Sequence, residues 1–360
     1  MTTTDAGFSV PGVLSADELA ATARVIADCQ RPDGQIPWFP GGHCDPWNHV
    51  EAAMGLTVAG HLEAARAAYA WLARAQLGDG SWFNYYLGER VRDARLDTNV
   101  CAYVAVGVLH FLLVTGEEGL AAALWPTIER AVDFVLAHQR ADGTITWSLD
   151  AQGRSEGYAL LTGSSSVFLS VRCAATLARA LGRDRPDWLV AAGRLGHAIT
   201  HHPGAFAPKN EFAMDWYYPV LGGALTGERA AARLAEGEER HVMEGLGVRC
   251  VSTNDWVTAA ETAECALALD AIGETTRALE LFALTTRHRR DDGAYWTGLA
   301  YPGAVTFPHR EATTYTAAAV VLAADALTSR TGAAGLFRHD ESPLVAVEDR
   351  AEPGCGARRA

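Results

Sequence analysis

The fold of this chain is decided by the stretch Gln30-Arg31-Pro32-Asp33-Gly34-Gln35-Ile36-Pro37-Trp38. It ends one apolar helix, forms a glycine turn, supplies a tryptophan and leads into another apolar helix. Asp-Gly favours a tight turn, because glycine accepts a positive φ and aspartate can hydrogen-bond its own backbone. A glutamine at a helix end can satisfy carbonyl groups that the helix leaves without partners. The tryptophan adds a large apolar face that can hold the turn against its neighbour.

Variants of this stretch return three times. They are Gln76-Leu77-Gly78-Asp79-Gly80-Ser81-Trp82, Gln139-Arg140-Ala141-Asp142-Gly143-Thr144-Ile145-Thr146-Trp147 and the weaker Arg289-Arg290-Asp291-Asp292-Gly293-Ala294-Tyr295-Trp296. The copies begin roughly 46, 63 and 150 residues apart, so the last gap fits three units of about 50 residues, two of them without the motif. A repeated helix–turn–helix unit indicates a solenoid or a closed ring.

The helices between the turns alternate in character. A capping box at Ser15 and Glu18 opens the first helix, and later helices are by turns amphipathic and apolar on nearly every face. This alternation predicts an all-α (α/α)6 toroid, or barrel, of about twelve helices in which outer and inner helices alternate. Long connections occur only before the inner helices, so they gather at one end of the ring, where we expect the functional groups.

The periodic pattern runs from about residue 15 to residue 328, which predicts one toroid domain over 15–328. Residues 1–14 form an N-terminal arm in this scheme. Residues 329–360 are polar, glycine-rich and without pattern, so we expect a mostly flexible C-terminal tail in which Leu336 and Phe337 can dock.

The composition is that of a globular protein: 49% of the 360 residues are hydrophobic and 20% are charged. A net charge of −13 argues against a nucleic-acid partner, because no basic stripe is present to neutralise phosphates.

The seven cysteines are scattered and mostly lie within apolar helices, which indicates reduced thiols. No signal peptide or transmembrane segment is visible, so we expect a cytoplasmic protein with a small-molecule substrate. The sequence does not indicate an oligomeric state.

The Gln-x-x-Asp-Gly-x-Trp spacing at Gln76 resembles the repeat turns of squalene–hopene-type terpenoid cyclases and of protein prenyltransferase β subunits. The copies at Gln30 and Gln139 place the tryptophan two residues later. The resemblance covers most of residues 15–328 and implies an (α/α)6 toroid with a central cavity. The Asp-x-Asp-Asp and Asp-Asp-x-x-Asp motifs of those families are absent, and their zinc site has no clean match. No catalytic residue can therefore be transferred from them.

Acidic residues recur where the inner helices are predicted to begin. Glu51, Glu261 and Glu311 fall in first turns on apolar faces, where a buried glutamate must be paired, protonated or used. Pairing with Arg90, Arg249 or Arg310 is the structural alternative. The candidate catalytic residues are Asp215, Asp255, Glu261, Glu311, Glu51 and His309.

Aromatic and polar residues accompany these acids. Asp45, Asp97 and Asp255 can be N-caps, and the tryptophans can be core, but at the mouth of a ring they would line a cavity. The candidate substrate-binding residues are Trp38, Trp47, His49, Trp82, Asp97, Trp216, Tyr217, Asn254, Trp256, Trp296 and Tyr315. His43 and His49 are not at a standard zinc spacing, so we expect no metal and no cofactor.

Three hypotheses follow for function. The first is a cyclase-like or prenyltransferase-like lyase or isomerase, in which a carboxyl donates a proton to an isoprenoid-like or other small substrate and tryptophans stabilise a carbocation. The second is a carbohydrate-active (α/α)6 hydrolase or isomerase with paired carboxylates, which the polar residues at the mouth favour. The third is a non-catalytic binding protein. The turn motifs favour the first hypothesis.

Overall fold

The computed structural model describes residues 8–339 and 343–351, and these form an (α/α)6 toroid, which confirms the predicted fold class. Outer and inner helices alternate along the chain, and one inner helix is broken into two pieces at Tyr103. In chain order the helices are α1 (Ala16–Cys29), α2 (Pro46–Val58), α3 (Leu62–Ala75), α4 (Thr98–Ala102), α5 (Val104–Thr115), α6 (Glu118–Leu136), α7 (Leu161–Ala180), α8 (Pro186–His201), α9 (Ala213–Leu221), α10 (Gly227–His241), α11 (Ala259–Ala271), α12 (Thr275–Ala283) and α13 (Thr314–Thr328), with 3-10 turns at Pro203–Ala205 and Leu284–His288.

The inner helices form a closed circle. Each contacts the next in the order α2, α5, α7, α9, α11 and α13, and α13 packs against both α11 and α2 to complete the ring. Small residues permit the last contact, since a Cβ added at Gly55 of α2 would lie 3.2 Å from the Ala318 backbone of α13. The apolar core lies between this circle and the outer helices.

The repeated turns join neighbouring outer helices. The Gln30 side-chain amide donates to the carbonyl of Gly34 in its own turn (3.0 Å) and to that of Ala64 in α3 (2.9 Å). Gln76 bonds Gly80 and Thr127 of α6 in the same way, and Gln139 bonds Gly143 and Ala191 of α8. Each glutamine therefore ties the end of one outer helix to the next outer helix.

The fourth turn closes the outer ring without a glutamine. Arg289 takes the glutamine position, and the Thr22 hydroxyl of α1 donates instead to the Gly293 carbonyl (3.0 Å). Gly293 has a φ of 88° and packs on Ala21 of α1. The last turn thus contacts the first helix, as a closed ring requires.

The position of the aromatic residue within each turn decides where it points. The sixth residue after the start of each copy (Ile36, Trp82, Ile145, Tyr295) is at most 2% exposed and belongs to the core. The eighth residue lies at the start of the connection to the inner helix, and in two copies it is a tryptophan, Trp38 or Trp147. A shift of two residues therefore moves an indole from the core to the mouth.

Short antiparallel strands occupy the connections before the inner helices. They are β1 (Tyr85–Leu87), β2 (Arg90–Asp93), β3 (Leu96–Asp97), β4 (Ser148–Leu149), β5 (Val242–Met243), β6 (Gly247–Val248), β7 (Trp256–Thr258), β8 (Gly298–Ala300) and β9 (Val305–Thr306). β1 pairs with β2, β3 with β4 and β5 with β6, and β7–β8–β9 form a three-stranded sheet. The sequence predicts only loops here, because strands of two to four residues carry too little periodicity to recognise.

Part of the C-terminal segment packs on the ring. Leu336 and Phe337 are buried, and the Arg338 guanidinium pairs with the Asp270 carboxylate of α11 (2.7 Å). Residues 1–7, 340–342 and 352–360, which include half of the predicted arm, part of the tail and Cys355, lie outside the described residues. The division into arm, toroid and tail stays a prediction.

One described segment, Thr98–Thr115, is long and apolar enough to cross a membrane, but 72% of it is buried within the protein. Burial of this kind is also what an inner helix of a helical ring requires.

We expect Gly80→Ala to destabilise the ring far more than Gly78→Ala in the same turn. Gly80 has a φ of 97°, and an added Cβ would lie 2.3 Å from the Arg130 carbonyl oxygen of α6, whereas nothing lies within 4 Å at Gly78. The first change should cost more than about 2 kcal/mol and the second less than about 1 kcal/mol. Thermal and urea unfolding followed by circular dichroism measure both, and equal stabilities would contradict the proposed role of the turn.

Candidate active site

The centre of the ring is lined by aromatic side chains. The Trp47 indole of α2 lies 5.7 Å from the Tyr103 ring, 6.1 Å from the Tyr218 ring of α9 and 6.2 Å from the Tyr315 ring of α13 (centroid distances). α2 and α9 are opposite one another in the circle of inner helices, so the contact between Trp47 and Tyr218 crosses the middle of the ring. These rings therefore mark the central site.

Two buried glutamates lie beside these rings. The Tyr103 hydroxyl donates to Glu51 Oε1 (2.9 Å), and the Tyr217 hydroxyl donates to Glu264 Oε2. The pKa of Glu51 is raised to about 7, mainly by burial and also by the charge on Asp45, while the Tyr103 hydrogen bond opposes the shift. Burial also raises the pKa of Glu264 well above its usual range, with the charges on Glu51 and Glu261 adding to the effect. Burial therefore favours the protonated form of Glu264, and Glu51 titrates close to neutrality.

Two aspartates at the mouth share one arrangement. Asp45 caps α2 through the Asn48 amide (2.9 Å) and accepts the Trp38 indole N–H (2.6 Å). Asp97 caps α4 and accepts the Trp147 indole N–H (2.6 Å). Burial raises the pKa of both aspartates, in Asp97 to about 6. The mouth-facing tryptophans of the first and third turns are thus held by carboxylates at the starts of inner helices.

Glu261 lies in the first turn of α11. α11 packs against one side of α13, and α2 packs against the other side. Glu261 is 8% exposed, and its charge raises the pKa of the Cys250 thiol after the larger effect of burial and the pKa values of Tyr217 and Tyr315 after the larger effects of burial and Glu264. It therefore belongs to the same central cluster. The amino end of a helix stabilises a negative charge, and this end of α11 is close to the Glu261 carboxylate.

Asp215 is also buried, but it links two inner helices. Its Oδ1 accepts the backbone N–H (3.2 Å) and the hydroxyl (2.5 Å) of Thr162 in α7. Burial raises its pKa above the usual value. Both bonds end on one carboxylate oxygen, and they hold α7 against α9.

Three predicted substrate contacts have structural partners away from the centre. His49 accepts the Ile36 N–H at Nδ1 (3.0 Å) and lies 2.9 Å from the Ala68 carbonyl at Nε2, which occupies both ring nitrogens and leaves none for a metal with His43. The Trp82 indole is fully buried and donates to the Leu72 carbonyl. Trp216 points outward, where it stacks on His241 and bonds the Arg233 carbonyl of α10.

The remaining candidates lie on the connections around β7, β8 and β9. Asn254 and Asp255 are exposed, and Asp255 pairs with Arg249 (3.3 Å), an arginine that the sequence suggested as a partner for a glutamate instead. Trp256 bonds the Phe307 carbonyl, and Trp296 lies under the guanidinium groups of Arg290 and Arg310.

Glu311 and His309 lie before α13 and not within its first turn. His309 and Arg310 have φ values of 34° and 62°, which interrupt the chain before the helix begins at Thr314. Glu311 is half-buried and accepts the Thr297 hydroxyl (3.2 Å), while His309 is exposed. The structure does not bring either side chain into the group around Trp47.

The central cluster contains residues that the sequence analysis did not select. Tyr103 and Tyr218 lie within apolar helices and look like core residues in the sequence. Glu264 follows Glu261 by three residues, and that helical spacing places both carboxyls on one face of α11, which was the available signal. Trp147 was recognised only as a turn residue.

Several polar atoms at the mouth are buried without a partner. Among the described residues these include Trp47 Nε1, Asn48 Oδ1 and Asn99 Oδ1. A buried polar atom without a hydrogen bond costs about 1–3 kcal/mol, which a hydroxyl-rich ligand can recover and a hydrocarbon cannot. The lining therefore suits a sugar better than an isoprenoid.

Comparison with known proteins agrees with this lining. The chain is 51% identical over 339 residues to the MMP endo-(1,4)-3-O-methyl-alpha-D-mannosidase of Mycolicibacterium hassiacum, with 94% of each chain covered. No protein-family model matches the chain. Among solved structures it resembles a glycosidase variant in complex with glucose (TM-score 0.68, 14% identity, 88% of this chain and 100% of that chain). It also resembles a D-mannose isomerase (TM-score 0.67, 13% identity, 86% and 96%). At such identities the two structures establish the fold alone.

The predicted relationship to terpenoid cyclases and prenyltransferases is wrong, and so is the isoprenoid chemistry that it implied. The mannosidase relative overturns both and supports an enzyme of the carbohydrate-active class, which was the second hypothesis. The error has a physical reason. The glutamines of the turns donate to backbone carbonyls of neighbouring outer helices and the glycines pack against those helices, so both report the architecture and not the side chains at the centre.

We expect Glu51→Gln to remove a pH dependence of stability. Glutamate has an ordinary pKa of 4.5, and burial raises that of Glu51 to about 7. Between these values the folded protein binds one more proton than the unfolded chain, so stability falls as pH rises through this window, by at most about 1.4 kcal/mol per pH unit, and is level above it. Unfolding of both proteins from pH 4 to 9 measures the difference. Parallel pH profiles would show that Glu51 does not titrate in this range.

Proposed function

The chain belongs to the family of the Mycolicibacterium hassiacum MMP endo-(1,4)-3-O-methyl-alpha-D-mannosidase, and we propose that it hydrolyses internal α-(1,4) bonds between 3-O-methylmannose units. Identity of 51% over 94% of both chains is the observation that carries the substrate class. The geometry of the ring centre supports the type of chemistry. Buried carboxyls on facing helices surround a mouth lined by indoles and polar atoms without partners.

Glycoside hydrolysis commonly uses two carboxyl groups that flank the scissile bond. We assign these to the walls of the mouth, with Asp45 at the start of α2 and Glu261 at the start of α11. Asp45 accepts a hydrogen bond from the Trp38 indole at the mouth. Burial raises the pKa of Asp45, which suits a general acid. Glu261 is beside a helix amino terminus, which suits the ionised partner that acts as nucleophile or activates water.

Glu51 and Glu264 form the floor in this proposal. Glu51 is six residues beyond Asp45, or about 9 Å deeper along the helix axis, and both floor carboxyls are held by tyrosine hydroxyls. Their protons and hydrogen bonds set the polarity beneath the sugar, and the scissile bond lies above them. The half-exposed indoles Trp38, Trp47 and Trp147 supply faces on which sugar rings can stack.

Apolar groups on the rim support a methylated substrate. Among the described residues the exposed large hydrophobic side chains are Val91, Val190, Phe212, Val305 and Phe307. All except Val190 lie on the connections that precede inner helices. A 3-O-methyl group adds apolar surface to a mannose unit, and such side chains can cover it when a chain of these units binds across the mouth.

We expect Glu261→Gln and Asp45→Asn to lower kcat by about 10²–10⁴-fold with the fold intact, because each removes one partner in proton transfer. Asparagine is a good N-cap, so Asp45→Asn keeps the cap of α2. The matched control is Asp79→Asn, an equal change in the repeat turn whose tryptophan, Trp82, lies in the core. Release of reducing ends from a 3-O-methyl-α-mannooligosaccharide measures activity.

Two outcomes would overturn this assignment. Full activity in Glu261→Gln would remove that residue from the chemistry, and no hydrolysis by the wild type, with isomerisation of free mannose instead, would remove the hydrolase proposal. Proton NMR of the first-formed anomer distinguishes a nucleophilic Glu261, which retains configuration, from a basic one, which inverts it.

We expect Val305→Ser to raise KM for the methylated oligosaccharide more than for its unmethylated counterpart. Val305 is 63% exposed on the rim, whereas Val190 is 38% exposed on outer helix α8 and provides the matched control as Val190→Ser. Loss of one apolar contact should change KM by about 3-fold to 10-fold. An equal change in KM for both substrates would show that Val305 does not contribute to recognition of the methyl group.

A further inference from the structure

Two histidines and an aspartate meet on the outside of the ring. His197 and His201 lie one turn apart on α8, with ring centroids 4.7 Å apart. Asp349, which comes from the C-terminal segment, places Oδ1 2.6 Å from His197 Nδ1 and Oδ2 3.2 Å from His201 Nε2. One ligand atom from each residue lies within 4.8 Å of the other two. The donor atoms of residues about 150 positions apart thus point toward one place.

The groove that receives this segment is built from glycines of α8. A Cβ at Gly193 would lie 2.3 Å from the Glu348 carbonyl oxygen, so only glycine allows the segment to run this close to the helix. The Val345 N–H donates to the Thr176 hydroxyl of α7 (3.0 Å), which fixes the segment further along. A cleft of about 270 Å³ borders His197 and Asp349 and leaves room for a further ligand.

We propose that His197, His201 and Asp349 form a binding site for a divalent transition metal of the zinc class. Imidazole nitrogens and carboxylate oxygens are the ligands that such ions prefer, and water from the cleft can supply the fourth. Metal–ligand bonds of about 2.0–2.1 Å place tetrahedral ligands about 3.3 Å apart, so the cluster must adjust by less than about 2 Å. Binding releases any proton held between the histidines and the aspartate.

The site is distinct from the ring centre, and its consequence is mechanical. A metal held by α8 and Asp349 links the C-terminal segment to the outer wall of the toroid. Because the ion binds the folded arrangement of these three residues, it stabilises that arrangement in proportion to its concentration. This proposal does not rest on the glycosidase assignment.

Calorimetric titration of the full chain, free of any histidine tag, with ZnCl2 at pH 7.5 tests the site. We expect one ion per chain, with affinity lowered at least 10-fold in both His201→Ala and Asp349→Asn. The matched control His61→Ala removes a histidine outside the cluster and should bind as the wild type does. Cobalt(II) should give the intense visible absorption of tetrahedral coordination in the wild type and not in His201→Ala.

Circular dichroism of the metal-free variants confirms that they fold, and limited proteolysis reports on the segment. We expect zinc to slow cleavage within residues 343–351 in the wild type and to have no such effect in Asp349→Asn. Equal zinc affinity in the wild type and both variants would overturn the proposal, as would wild-type binding no tighter than that of magnesium.

Discussion

The structure depends on glutamine side chains that each donate hydrogen bonds to two backbone carbonyls, one in the same turn and one in the next outer helix. A glutamine at the end of an outer helix bonds the glycine of its own turn and a carbonyl of the next outer helix. Glycine is required beside it, because the turn backbone approaches that helix within contact distance. Repetition of this link sets the spacing of outer helices, and the last turn returns to α1. The circle of inner helices closes within this frame, where α13 packs against both α11 and α2.

Closure of the ring determines the electrostatics of its centre. The inner helices all begin at one end, so the capping aspartates Asp45 and Asp97 and the glutamates in the first two turns of α2 and α11 converge on a small volume. Burial there raises the pKa values of Asp45, Asp97, Glu51 and Glu264. Tyrosine hydroxyls partner the deeper carboxyls, whereas several polar atoms nearer the mouth have no hydrogen-bond partner within residues 8–339 and 343–351. A site of this kind gains most from a ligand that brings its own hydroxyl groups.

The contrast between Trp82 and the pair Trp38 and Trp147 explains why the motif predicted the fold and misled about chemistry. Trp82 comes six residues after the glutamine of its turn, and its indole packs into the core. Those of Trp38 and Trp147 come two residues later and bond the aspartates at the mouth. Trp38 and Trp147, whose spacing differs from that of the cyclase-like turns, therefore line the centre. Gln76 and Trp82, which match the cyclase-like spacing, hold helices together.

The sequence by itself determined the all-α toroid, the alternation of inner and outer helices and the end of the ring that carries the polar residues. These follow from local turn chemistry and from the period of apolar residues, which short stretches of chain contain in full. Only the tertiary structure decided which side chains meet. Glu51, Glu264, Tyr103 and Tyr218 come from four helices, and Asp349 reaches His197 across about 150 residues. Such meetings depend on the rotation of each helix about its axis, which packing against all neighbours sets and no single stretch encodes.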